Sequence, residues 1–495
     1  MVIITPSILV LVFSLLAASG ESAPSLSKPA TESDFYEVVN IPIPDGVGLE
    51  VGGLVSGPGK GVIYASTRRG DIWKIEDAYG PAPKFTRFSD GLQEPLGLCW
   101  HDDWLYTVQR GELSRLKDED GDGRADVLET VCDDWTISGN YHEYAFGPRV
   151  DKEGNFWITL NKPFGAEPFG RQHWRGWAIK VGEDGRMIPA AGGLRSPAGV
   201  EVSPAGDVFY TDNQGEWCGT NKLCHIEDGD YFGHVWGVES AKLPISRMEY
   251  PGETPNGLTY VEARKQIPFL KLPAVWFPYD KMGKSAAGMV WDTTEGGFGP
   301  FADQLLVTDQ HHASVMRVDL EKVNGVWQGA AMRFRENLDC GALRTCWGDN
   351  DVLLVGQTNR GWGSRGKKTE GLAYLRWTGK VPVEVLTCRA TADGYRMTFT
   401  VPMDRATLED VATYQTENYT YKLHEPYGSP EVDRQDVKVT SAIASEDGLS
   451  VELKLEGPGA MRIGYVTEFR MPGLKTTEGE SLLHAEVYAT LNEKP

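Results

Sequence analysis

The densest chemistry in the chain lies in twelve residues, Asp118-Glu119-Asp120-Gly121-Asp122-Gly123-Arg124-Ala125-Asp126-Val127-Leu128-Glu129. Carboxylates stand at positions 1, 3, 5, 9 and 12, Gly123 supplies the sharp turn at position 6, and Arg124 offers a backbone carbonyl at position 7. That is the ligand pattern of a calcium-binding loop. Carboxylates crowded this closely repel one another unless a hard divalent cation neutralises them. The flanking segments read as strands, so the expectation is a calcium loop on an outer hairpin, with a structural role, and not a helical EF-hand. An acidic, solvated hairpin tip is the alternative.

A second set of reactive residues is dispersed but recurs at one address. Glu50, Glu94, His142 with Glu143, Arg195, Lys284 with Ser285, and Arg344 each stand just ahead of an apolar strand. A further polar set closes the strands that follow: Asn161, Asp212-Asn213-Gln214-Gly215, Asp309-Gln310-His311 and Gln357-Thr358-Asn359-Arg360. A histidine among cations and carboxylates suits proton transfer near neutral pH. The oxygen-rich run Asp212 to Gly215 suits calcium, or a carboxylated cofactor bridged by it. The bland alternative is turn residues that end strand pairing.

These residues meet only if the elements between them form a ring. Six copies of a strand, a Gly/Asp/Asn turn and a second strand begin near Val51, Leu96, Tyr144, Ala198, Ala287 and Ala342. A repeat of about 45 to 55 residues built from short strands marks the blades of a β-propeller, whose loops converge on a central axis. The expected fold is all-β: a six-bladed propeller over residues 34–378, followed by a small immunoglobulin-like β-sandwich over 383–495. The second domain rests on period-two alternation in Arg396–Val401, Val451–Leu455, Met461–Tyr465 and Ala485–Leu491. The interval between the fourth and fifth copies is long, and the excess, about 235–284, is either a lid or wall for the pocket or a packed excursion.

At 495 residues, two domains are expected. The formal charge of −21 argues against nucleic acid and against an anionic membrane surface as partners. Residues 1–23 read as an export signal, because the apolar stretch Ile8–Ala18 is shorter than the roughly 20 residues of a membrane span and small residues follow it. The mature chain is expected to be periplasmic or secreted, without a membrane span. Seven cysteines leave one thiol unpaired, and Cys218/Cys224 or Cys340/Cys346 could each close a small disulfide loop or stay as buried thiols. There is no C-x-x-C-H haem motif.

Tyr141-His142-Glu143-Tyr144-Ala145-Phe146-Gly147-Pro148, Leu194-Arg195-Ser196-Pro197-Ala198-Gly199, Thr211-Asp212-Asn213-Gln214-Gly215 and Gly229-Asp230-Tyr231-Phe232-Gly233 follow in the order seen in the soluble quinoprotein glucose/sorbosone dehydrogenase family. The chain resembles that family over roughly residues 40–378. Its Thr358–Gly366 segment and sandwich look more like large secreted bacterial propeller proteins of unassigned activity. The resemblance implies His142 as the general base and Arg195 as the arginine that holds or polarises pyrroloquinoline quinone. It implies Gln214, Gly215 and Glu216 as ligands of a calcium bridging that cofactor, with Lys284, Arg344 and Arg360 as cationic contacts. The stretch after the Gln-Gly pair, Trp217–Lys222, has fewer calcium-binding oxygens than the family's acidic one.

Three function classes follow. The first is oxidation of a sugar or polyol by a calcium-bound quinone, with an external electron acceptor. The second is a non-catalytic propeller that binds a carbohydrate, a cell-surface glycan or a protein. The third is a calcium-dependent lactone or ester hydrolase using axial carboxylates such as Glu50, Glu94 and Asp309.

Overall fold

The computed structural model describes residues 29–164 and 172–495, and the expected export signal lies outside them. Among the described residues the chain is nearly all β, with helical turns of only three to five residues. Apolar strands with glycine-rich turns pair antiparallel with their chain neighbours. The first sheet is Val51–Ser56, Ile63–Thr67, Ile72–Glu76 and Lys84–Ser89. The second is Leu98–His101, Trp104–Val108, Leu113–Lys117 and Val127–Cys132, and the third Ala145–Val150, Phe156–Leu160, Trp177–Val181 and Met187–Gly192. Pro197–Val202, Val208–Asp212, Asn221–Ile226 and Val275–Phe277 make the fourth; Ala286–Trp291, Leu305–Asp309, Ser314–Val323 and Val326–Arg335 begin the fifth. Ala342–Trp347, Leu353–Thr358 and Glu370–Trp377 form the sixth, whose outer strand is the first among the described residues, Tyr36–Asn40. The innermost strands touch one another in cyclic order, so the sheets close into a propeller-like ring.

The axis is built from small residues. Gly53, Gly97, Gly147, Gly199 and Gly288 stand at equivalent points of five inner strands, and a Cβ on Gly97 or Gly199 would meet a neighbouring strand's carbonyl at 1.7 or 2.2 Å. Pairing slips at this level in most of the inner strands, a repeated β-bulge that turns the chain toward the axis. The sixth inner strand carries Arg344 there instead. Its guanidinium fills the axis, donating to the carbonyls of Ala198 (2.8 Å) and Leu96 (3.2 Å) and lying 4.6 Å from the Phe146 ring. Burial, with Arg149 and Arg68 nearby, pulls its pKa down to about 9. Above it Leu96, Phe146, Ala198, Ala287 and Leu343 form an apolar layer.

The C-terminal segment packs two sheets around its own core, with Tyr395, Met397, Phe399, Leu453, Phe469 and Val487 inside. Val385–Ala390, Gly394–Phe399, Ser450–Glu456 and Lys438–Ala444 make one of them. The other, Glu486–Leu491, Tyr465–Arg470, Gln415–Thr420 and Val432–Gln435, continues the fifth sheet edge to edge through Ala330↔Ala489. That pairing removes two exposed sheet edges and fixes the segment against the ring. His484 adds a polar tie: its Nδ1 meets Glu384 Oε1 at 2.6 Å and its Nε2 meets Glu32 Oε1 at 3.0 Å, while Arg335 holds the other Glu32 oxygen at 2.9 Å. The excursion expected at 235–284 supplies Val275–Phe277 to the fourth sheet and Leu258–Thr259 to a bridge with Lys422–Leu423. All seven cysteines are free, and either disulfide loop is replaced by buried or half-buried thiols.

Candidate active site

A cavity of about 330 Å³ lies on the axis above the apolar layer. Phe146, Ala198 and Leu343 floor it; Arg68, Arg195 and Lys284 bring positive charge; Asn161, Ser196, Asn213, Gln214, Ser285 and Gln310 bring amides and hydroxyls. Tyr141, Tyr144, Phe164, Trp362 and Tyr427 form aromatic walls, and no Asp or Glu lines it among the described residues. Each of these cations is paired behind the wall, Arg68 with Glu94 (2.6 Å), Arg195 with Glu216 (3.2 Å) and Lys284 with Asp280 (3.1 Å), so the lining presents donors to a guest while the carboxylates stay out of the cavity.

Two aspartates set the loops that carry Arg195 and Lys284. Asp212, at the end of its strand, accepts from the backbone amides of Arg195 (3.1 Å), Ser196 (2.7 Å) and Asn213 (3.0 Å). Asp309 does the same one sheet on, for Lys284 (2.7 Å), Ser285 (2.8 Å) and His312 (2.8 Å). Burial pushes the Asp212 carboxyl up, while Lys222 and the amides pull the other way. The His142 loop has a different clamp. The Glu143 carboxylate accepts from the amides of Ser138, Gly139 and Asn140, and Arg110 and Arg175 bind the loop's carbonyls.

His142 is 9% exposed. Its Nδ1 is 2.7 Å from the Lys162 carbonyl, which can only accept, so the proton sits on Nδ1 and Nε2 is left as the basic lone pair. The Ser196 hydroxyl donates to Nε2 at 3.2 Å and accepts from Asn161 Nδ2 at 3.1 Å. Burial, then the Arg195 charge, push the imidazole's pKa down to about 3, so it is neutral across the physiological range. Arg195 reaches Glu216 with Nη2 at 3.2 Å, lies 5.1 Å from the Tyr427 ring, and keeps a buried Nε without a partner.

His142, Arg195, Gln214 and Lys284 thus share the cavity as expected residues, whereas four other expectations change. Arg344 lies beneath the floor because its strand places it at the glycine level, two residues inside the strand. Arg360 turns outward to Glu50 at 3.0 Å and presents only its carbonyl inward, to Arg68. The Gly215 carbonyl already accepts from the Gly428 amide at 2.9 Å, and the Glu216 carboxylate is held between Lys162 and Arg195. With an ammonium and a guanidinium on its only carboxylate, the Gln214-Gly215-Glu216 run does not fit a bridging calcium. The carboxylates suggested for a hydrolytic metal are equally engaged: Glu94 by Arg68 and Arg110, Glu50 by Arg69 and Arg360, and Asp309 by its amides.

On the outer hairpin of the second sheet, oxygens of Asp118, Asp120 and Asp126 converge within 4.8 Å, which fits part of a cation site. Asp122 instead accepts from the Arg124 amide at 2.7 Å, and Glu129, drawn into a strand, pairs with Arg115 at 2.7 Å. The sequence reading missed Arg68, Trp362 and Tyr427. Arg68 was legible in principle, since it follows the second strand of its repeat as Asn161, Asn213 and Gln310 do. Tyr427 gives no such signal, because it comes from the C-terminal segment.

A family model described as a domain of unknown function, DUF7133, matches residues 65–239. No curated protein matches the chain. Similar solved structures include the Trichoderma reesei carbohydrate-active enzyme of family AA12, 13% identical, covering 73% of this chain and 100% of that one at a TM-score of 0.50. The PQQ-bound aldose sugar dehydrogenase of Streptomyces coelicolor is 14% identical, covering 71% and 100% at 0.48. The soluble aldose sugar dehydrogenase of Escherichia coli in its apo form is 14% identical, covering 70% and 100% at 0.46. At such identity the likeness is one of fold.

Proposed function

We propose that this chain is a sugar dehydrogenase-like oxidoreductase, a six-bladed β-propeller over residues 34–378 with an immunoglobulin-like sandwich over 383–495. In this reading it is periplasmic or secreted and oxidises a sugar or polyol in the axial cavity. The observation that carries it is the His142 imidazole, with its Nδ1 on the Lys162 carbonyl and its Nε2 on the Ser196 hydroxyl, in a cavity lined among the described residues by cations and no carboxylate. Arg68, Arg195 and Lys284 fit the negative charge of pyrroloquinoline quinone, with aromatic walls for its rings. When bound, that cofactor supplies a hydride acceptor and passes electrons to an external acceptor.

His142 Nε2 receives the proton of the substrate hydroxyl, in the place where the Ser196 hydroxyl now donates. The Lys162 carbonyl holds the imidazole in the tautomer this requires. Arg195 and Lys284 stay fixed because Asp212 and Asp309 pin their backbones, so little reorganisation accompanies the charge that develops. Asp118, Asp120 and Asp126 would hold a calcium ion away from the chemistry. A carbohydrate-binding propeller without turnover is the second reading, favoured by the exposed aromatic residues around the mouth.

The test is titration of the purified chain with pyrroloquinoline quinone by absorbance, then dye reduction with aldoses and polyols. Substrate-dependent reduction is expected, and His142→Ala should lower it by about 10²- to 10⁴-fold. Quinone binding without reduction by any sugar or polyol would leave the binding reading.

A further inference from the structure

The aromatic lining of the cavity continues out of it. Tyr141 is 58% exposed, Trp362 45% and Tyr427 55%. They come from three separate parts of the chain: the His142 loop, the loop after Leu353–Thr358, and the C-terminal segment. All three line the same mouth. Large rings left half-exposed around one polar pocket forgo part of the burial that folding offers them, and three of them at one mouth mark a surface kept for a ligand.

Tyr427 is placed with care. The 424–429 loop that carries it is tied to the ring by three backbone bonds: Trp217 N–H to the His424 carbonyl at 2.7 Å, Gly428 N–H to the Gly215 carbonyl at 2.9 Å, and Ser429 N–H to the Gly219 carbonyl at 2.8 Å. His424 Nε2 closes the loop on the Gly428 carbonyl at 2.6 Å. Gly428 is required there, because it has φ +67° and a Cβ would meet the Gln214 side chain at 2.6 Å. The edge-to-edge sheet behind it keeps the C-terminal segment from moving away.

We infer that the C-terminal segment completes the ligand site, and that the ligand is a saccharide chain whose outer units stack on Tyr427, Trp362 and Tyr141. A pyranose ring shows an apolar face of C–H groups that packs on a flat aromatic ring while its hydroxyls stay in water. Aromatic side chains, apolar in body and rigid, suit that contact at low entropic cost. The inference shares its cavity with the proposed oxidation but needs only binding, so it is tested without cofactor.

The full-length protein is titrated by calorimetry and tryptophan fluorescence with β-1,4-glucan, β-1,4-xylan, α-1,4-glucan and α-1,4-galacturonan oligomers of one to six units. Affinity should rise from one to about three units in at least one series. Tyr427→Ala should weaken the longer oligomers about 3- to 10-fold more than it weakens the monosaccharide. Tyr427→Phe, which keeps the ring, should bind like the wild type. Affinity independent of length, equal binding by Tyr427→Ala, or binding in none of the four series would overturn it. Chain-length-dependent binding, with no oxidation of any of these oligomers or of aldoses and polyols once pyrroloquinoline quinone is added, would instead sink the dehydrogenase reading and leave this one standing.

Discussion

His484 offers a prediction whose size follows from its surroundings. It lies between Glu384 and Glu32, buried where the start of the ring, the fifth sheet and the C-terminal segment meet. Burial alone would lower its pKa, but the two carboxylates win and raise it from 6.5 to about 9. That difference corresponds to about 3 kcal/mol of folding free energy, at about 1.4 kcal/mol per tenfold change in proton affinity. The sign is fixed by the direction of the shift. Below pH 6.5 both folded and unfolded chains hold the proton, and the stabilisation is complete. Between 6.5 and about 9 only the folded chain keeps it, and above that the contribution is gone. His484→Gln should therefore be about 3 kcal/mol less stable than wild type at pH 6, with the gap closing by pH 10. Urea unfolding followed by tryptophan fluorescence from pH 5.5 to 10 measures it. A gap that stays constant over that range would refute the argument.

Gly215 has no Cβ where the Arg195 guanidinium passes; an alanine there would meet Nε at 1.9 Å. Because the clashing atoms end a flexible side chain, Gly215→Ala should fold normally but lower affinity for pyrroloquinoline quinone about tenfold or more, read by absorbance titration. For His142, whose pKa is about 3, kcat/KM should show no imidazole acid limb between pH 4.5 and 7, where an ordinary histidine would impose one. Arg195→Met removes one of the charges that depress it, so the limb should move up toward that window.

The ring was legible because a propeller writes the same short pattern into each sheet, and strand ends fall at the same place in every copy. His142, Arg195 and Lys284 were found by that alignment. Arg344 was misplaced by it, because its strand begins at Ala342, two residues before the arginine, and bulges are invisible in apolar periodicity. Glu216 reads as a ligand in sequence, yet its partner Lys162 is 54 residues away and only the fold brings them together. Tyr427 lies beyond the repeats altogether. Alternation shows that a strand of the C-terminal segment has two faces, but not that a turn between such strands reaches the pocket in the ring.

The pairing of Tyr36–Asn40 with Glu370–Trp377 has a consequence for biosynthesis. Tyr36–Asn40 can find its partner only after more than three hundred further residues have emerged, and Glu32 must wait longer still for His484. Until then a growing chain carries an open edge at each end of an incomplete ring, the kind of edge that invites pairing with other chains. Closure thus waits for Glu370–Trp377, and the growing chain must be kept from its neighbours until that strand is in place.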